Sequence, residues 1–233
     1  MQPWQRLAGC RQRLQGPALS LCLLFGGGLG LNASWANWDF AQIINNAETR
    51  YGALGAARQR ILQWDALITS SANLPEHEQL KRVNRFFNRQ LRFIDDRQIW
   101  QQNDYWATPI EALVKGAGDC EDYSIAKYFT LRRLGLPSDK LRITYVKALQ
   151  LNQAHMVLGY YPSPTADPWV LDNLVNEIQP ASQRTDLLPV YAFNAEGVYF
   201  PGSNSKKSDS KKISRWQDLL KKMRMEGFVI DEG

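Results

Sequence analysis

The sequence predicts an α+β domain, because helix-period segments fill its first half, short alternating apolar runs fill its second, and a leader with an uncharged apolar stretch precedes both. The leader comes first in the chain. Arg6, Arg11 and Arg13 precede an apolar stretch from Ala18 to Leu31 that carries no charge, and Ser34-Trp35-Ala36 puts small residues where a signal peptidase reads them. The stretch is short and glycine-rich for a membrane span. Residues 1–36 are therefore expected to be a signal peptide cleaved after Ala36, with retention as an anchor the alternative, and residues 37–233 a single exported domain in the periplasm.

Loss of the leader removes three arginines and no acid, so the net charge falls from +5 to 25 − 23 = +2. No basic stripe interleaved with aromatics is present, which excludes nucleic-acid binding. After signal cleavage no apolar span remains for stable membrane insertion. Of the three cysteines, Cys10 and Cys22 lie in the leader, leaving Cys120 as the one thiol of the mature chain. An unpaired thiol in an oxidising compartment points either to a reactive group or to a buried one.

From Trp38 to Gln90 the apolar residues recur at helical spacing, including Ile61, Trp64, Leu67 and Ile68, then Leu80, Val83, Phe86 and Phe87 after Pro75. Leu91 to Trp106 is mixed and aromatic. Thr108-Pro109-Ile110-Glu111 reads as a capping box with proline at the first helical position, and Gly116 as the stop. The next helix starts at Asp119 or Cys120 and runs to Gly135-Leu136-Pro137. Strand-like runs follow at 141–146, 155–161, 169–174 and 190–193. Residues 202–212 form a polar loop tract. Ser214 is expected to cap a last amphipathic helix with Trp216, Leu219, Leu220 and Met223 on one side.

Cys120 sits at a helix start, where free backbone amides and the positive end of the helix dipole favour a thiolate and could hold an oxyanion. The second oxyanion donor is not fixed by the sequence; Trp106 is a weak pointer. The mature chain offers two histidines as a base, His77 between two glutamates and His155 at the head of an alternating strand. Asp172 ends the next apolar run, where it serves either to orient an imidazole or to cap the turn at Asn173. The order Cys120, His155, Asp172 over helix start, strand and strand makes a nucleophile, base and orienting acid.

Asp119, Glu121 and Asp122 complicate this arrangement. At an effective dielectric of about 20, a carboxylate some 6–8 Å from the thiolate opposes it by roughly 2–3 kcal/mol. A bound Ca²⁺ would balance that charge, since carboxylates and carbonyls are its preferred ligands. The plainer alternative makes Asp119 an N-cap and the other two first-turn acids, with no metal.

The blocks Gly118-Asp119-Cys120-Glu121-Asp122-Tyr123, His155-Met156-Val157-Leu158, Val170-Leu171-Asp172-Asn173-Leu174 and Arg184-Thr185-Asp186-Leu187 leading to Tyr191-Ala192-Phe193-Asn194 resemble the bacterial transglutaminase-like cysteine proteases of the LapG type. The resemblance implies a papain-like or transglutaminase-like α+β fold with an antiparallel sheet, a Cys120–His155–Asp172 triad, and a calcium site at Asp119, Glu121 and Asp122. It further implies a large repeat adhesin as substrate, cut near its N-terminal end at paired alanines so that cells leave a biofilm. An inner-membrane cyclic di-GMP receptor that sequesters the protease is the implied partner. A transglutaminase or amidase using the same triad, and a non-catalytic calcium-binding module, remain open at this point. The roles of Arg184 and Asp186 are not legible from the sequence.

Overall fold

A computed structural model describes residues 38–201, 208–210 and 213–230; the expected signal peptide and most of the 202–212 tract lie outside them. Three helices open the domain: α1 (Phe40–Tyr51), α2 (Ala56–Ser71) and α3 (Glu76–Gln90). Each presents one apolar stripe to a shared core, with Ile43, Ile61, Trp64, Leu80, Val83 and Phe87 all buried. Trp64 is the hub of this layer. Its ring packs on Trp38, Phe40, Phe87 and Phe228, and its indole N–H donates to Thr130 Oγ1 at 2.8 Å. Because Thr130 lies on the helix that also carries Cys120, Trp64→Ala is expected to destabilise the domain by about 3–5 kcal/mol, read as a lower urea midpoint at unchanged m-value.

After α3 the chain makes a two-residue strand β1 (Arg92–Phe93) and a short helix α4 (Asp96–Ile99), then α5 (Pro109–Lys115). Thr108 and Glu111 form the expected capping box, and Gly116 closes α5 at φ 62°, where a Cβ would be strained. The strand β2 (Ala117–Gly118) pairs in parallel with β1, a contact the sequence does not announce. Next comes α6 (Cys120–Arg133), buried along nearly its whole length between α3 and the sheet. A helix enclosed on all sides has no solvent stripe, which is why its apolar periodicity is weak.

The sheet is antiparallel, in the order β6-β5-β4-β3-β7-β8. Its strands are β3 (Leu141–Ala148), β4 (Gln153–Tyr160), β5 (Trp169–Leu171), β6 (Gln179–Pro180), β7 (Leu187–Phe193) and β8 (Val198–Tyr199). Pairing of β3 with β4 runs from Leu141↔Tyr160 to Ala148↔Gln153. Pro189 in β7 faces the register shift beside Val146, the place in a ladder where a residue without an N–H is tolerated. One face, with Ile143, Met156 and Leu158, joins the main core under α6. The other carries a small cluster of Val146, Val157 and Val170 against Ala181 and Leu187.

A last helix, α7 (Ser214–Met225), buries Trp216, Leu219, Leu220 and Met223 as expected. The expected cap is corrected by the structure. Ile213 holds the N-cap position and makes no side-chain bond, because its own backbone is extended and its carbonyl accepts the first helical N–H, from Gln217. Helices on one side of an antiparallel sheet make an α+β fold, as predicted.

Candidate active site and metal centre

Cys120 is the first residue of α6, with Asp119 at the N-cap. The turn before it is tight. A Cβ on Gly118 would stand 2.8 Å from Asp122 Oδ2 and from its Cβ, so only glycine lets Asp122 fold back beneath the loop. There Asp122 accepts the Ala107 N–H at 2.8 Å and the Asp119 N–H at 3.3 Å. The Cys120 thiol donates to Glu121 Oε2 at 3.1 Å, and the Met156 backbone N–H lies where it favours the thiolate. Burial, then the charges of Glu121 and Asp119, push the thiol well above its ordinary range, a shift the Met156 amide only partly offsets.

The Met156 amide adjoins His155. Alternation along β4 puts Met156 toward the helical layer and His155 on the face of Val157, and β5 pairs only with Leu158 to Tyr160, leaving the His155–Met156 edge unpaired on that side. His155 is buried, and its Nε2 lies 2.8 Å from Asp172 Oδ1. Asp172, just past the end of β5, also accepts the Leu174 N–H at 3.0 Å, so it orients the ring and caps the turn at once. Burial opposes its ionisation, but His155, the Leu174 amide and Arg184 outweigh that and hold the carboxyl at about 2. His77 stands elsewhere, exposed in the first turn of α3 and paired with Glu78 at 3.2 Å.

The acids flanking Cys120 have company. Asp96, Asp119 and Asp122 offer oxygens within 4.8 Å of one another, as do Asp96, Asp104 and Glu121, and Asp119 and Glu121 do so together with the Cys120 sulfur. Asp96 and Asp104 escaped sequence reasoning. The β1–β2 pairing brings residues 94–96 beside Gly118 through the Ile94 N–H to Gly118 O bond of 3.1 Å, and Tyr105 N–H bonds to Asp96. Burial, reinforced by neighbouring carboxylates, pushes Asp119 up to about 9 and Asp96 up to about 6, and raises Glu121 and Asp122 as well. One buried oxygen each on Asp119 and Asp96 has no hydrogen-bond partner. Unpaired buried carboxylate oxygens are the donor type that hard cations such as Ca²⁺ take, so the residues present fit such an ion.

The sequence profile of the bacterial transglutaminase-like cysteine proteinases, BTLCP, matches residues 64–188. The chain belongs to this family. Three structures of LapG from Legionella pneumophila are similar to it: one EGTA-treated, at 45% identity over 78% of this chain and 97% of the other with TM-score 0.70; a second at 45% identity over the same shares with TM-score 0.68; and a calcium-bound one at 44% identity over 79% and 98% with TM-score 0.68. No curated protein sequence matches the chain. The fold and the family resemblance read from the sequence are thus both borne out, and the BTLCP family makes the chain a cysteine protease of LapG type. Trp106, the weak pointer for an oxyanion donor, is buried, stacked on Phe193 at 5.3 Å, with its indole N–H unpartnered. No helix among the described residues is long and apolar enough to cross a membrane.

Proposed function

We propose that the chain is a calcium-dependent endopeptidase in which Cys120 attacks a peptide carbonyl, His155 carries the proton and Asp172 orients His155. The observation that carries this reading is the 2.8 Å contact of His155 with Asp172, with His155 next in the chain to the Met156 amide that favours the Cys120 thiolate. With Nε2 given to Asp172, Nδ1 is the ring nitrogen left to take the thiol proton. The thiolate adds to the carbonyl carbon, and the oxyanion is met by backbone amides at the start of α6. His155 then protonates the departing amine, leaving a thioester that water hydrolyses with the proton returning through the same ring.

Ca²⁺ fits the acidic cluster, with Asp119, Glu121 and Asp122 joined by Asp96 and Asp104 as its holders, and would supply positive charge beside the thiol. The calcium-bound LapG structure supports calcium as the ion. We further propose, on the family resemblance of the sequence, a large repeat adhesin cut at paired alanines as substrate, biofilm dispersal as outcome, export to the periplasm, and restraint by an inner-membrane cyclic di-GMP receptor.

The test uses the purified protein with an N-terminal adhesin fragment. A cut that yields a new N-terminus, vanishes in Cys120→Ala and vanishes in chelator is expected. A mass gain from an added amine would turn the reading to a transglutaminase, and cutting by Cys120→Ala would overturn the mechanism.

A further inference from the structure

Asp172 has two carboxylate oxygens, and His155 uses only one. The other, Oδ2, accepts from Arg184 Nη2 at 2.8 Å. Arg184 is buried at 4% exposure, and is itself tied down: its Nε and Nη2 hold Asp186 Oδ1 and Oδ2, at 2.9 and 2.8 Å. The backbone under it is fixed as well. Its carbonyl accepts the Leu187 N–H at 3.0 Å, and the Asp186 carbonyl accepts the Leu149 N–H at 2.8 Å. A planar guanidinium braced by one carboxylate sets the plane of a second one, which a lysine point charge cannot do.

We infer that Arg184 is a positioning residue: anchored by Asp186, it clamps Asp172 Oδ2 so that Oδ1 stays on the His155 ring and fixes its direction. The inference rests on the Cys120–His155–Asp172 reading. Around Asp172 stand His155 from β4, Arg184 and Asp186 from the segment before β7, and Lys127 from α6. Lys127 is fully buried on the helix side, and no Lys127–Asp172 hydrogen bond is present to lock the plane. Arg184 alone makes that second bond. Arg184 also lines a cavity of about 340 Å³ on the outer face of the sheet, with Val146, Val157, Val170 and Leu187. That cavity gives a small cation access to the space an arginine deletion would leave.

The chain has only two histidines, so imidazole NMR on ¹⁵N-histidine-labelled protein can follow the His155 Nε2–H directly, with His77 as internal control. Arg184→Ala is expected to broaden or abolish the His155 Nε2–H signal and to lower kcat about 10- to 100-fold at unchanged KM, the effect typical of losing an outer-shell partner. Free guanidinium, well below denaturing concentrations, should restore both. Arg184→Lys should recover only part. Should Arg184→Ala fail to fold, Asp186→Asn, at the more exposed end of the clamp, should broaden the same signal with a smaller loss of kcat. An unaltered Nε2–H signal in the Arg184→Ala or Asp186→Asn protein overturns the inference. Cutting by Cys120→Ala would instead overturn the protease mechanism, since the NMR readout needs no turnover.

Discussion

His155→Ala is expected to lower kcat by about 10⁶-fold, roughly 8 kcal/mol of transition-state stabilisation, as far as Cys120→Ala does, and the double variant should fall no further. The reason lies in how the thiol is held. Burial, Glu121 and Asp119 all favour its protonated form, so a cysteine without its base stays a thiol and attacks weakly. Nucleophile and base then form one unit, and removing either removes the step. Asp172→Asn should cost less, about 10⁴-fold, because the amide keeps a polar contact with His155 but presents an N–H where the ring needs an acceptor. His77→Ala, remote and exposed, should leave kcat unchanged. Single-turnover cleavage with all five proteins checks this. A double variant markedly slower than either single one would mean that the two residues act independently, and the proposed unit would not exist.

What could be read from the chain was whatever local chemistry decides. Thr108-Pro109-Ile110-Glu111 and Gly116 bound α5 because caps and stops act within a turn. The start of α6 at Cys120 followed from the same rules, and the face shared by Met156 and Leu158 followed from strand alternation. The remaining members of the site came from pairings between distant segments. Asp96 reaches the Cys120 loop only because two-residue strands at 92–93 and 117–118 join in parallel, and such strands are too short to show any period. Arg184 meets Asp172 across the β5–β6 turn, 12 residues away, and no spacing rule distinguishes that arginine from a solvated one. Ser214 misled for a related reason: capping residues are common at helix starts, but backbone conformation decides the cap, and here Ile213 is the residue that stays extended.

Calcium should act on stability as strongly as on activity. In the folded protein burial pushes Asp96 up to about 6 and Asp119 up to about 9, while in the unfolded chain both titrate near 3.9. A carboxyl raised in the folded state binds more protons folded than unfolded. Its stabilising effect is therefore whole below about pH 4 and is lost as pH rises through its folded value. Each such group can contribute a slope of at most about 1.4 kcal/mol per pH unit within its window, so chelated protein should weaken steadily from pH 4 to pH 9. Glu226, pushed up to about 8 by its burial, with Glu111 adding to the shift, belongs to the Thr108–Lys222 network and adds a share that calcium does not touch. On the proposed reading Ca²⁺ would replace the protons of the cluster, so the cluster's part of the slope should flatten when it is bound, and its affinity should rise with pH as fewer protons compete. At a hundredfold excess over its dissociation constant it adds about 2.7 kcal/mol, or about 5–10 °C in Tm for a domain of this size. Thermal unfolding across pH, with Ca²⁺ and with chelator, measures both quantities. Identical pH profiles in the two conditions would mean that the carboxylates beside Cys120 keep their protons instead of a cation, and the thiol would have to ionise against them unaided.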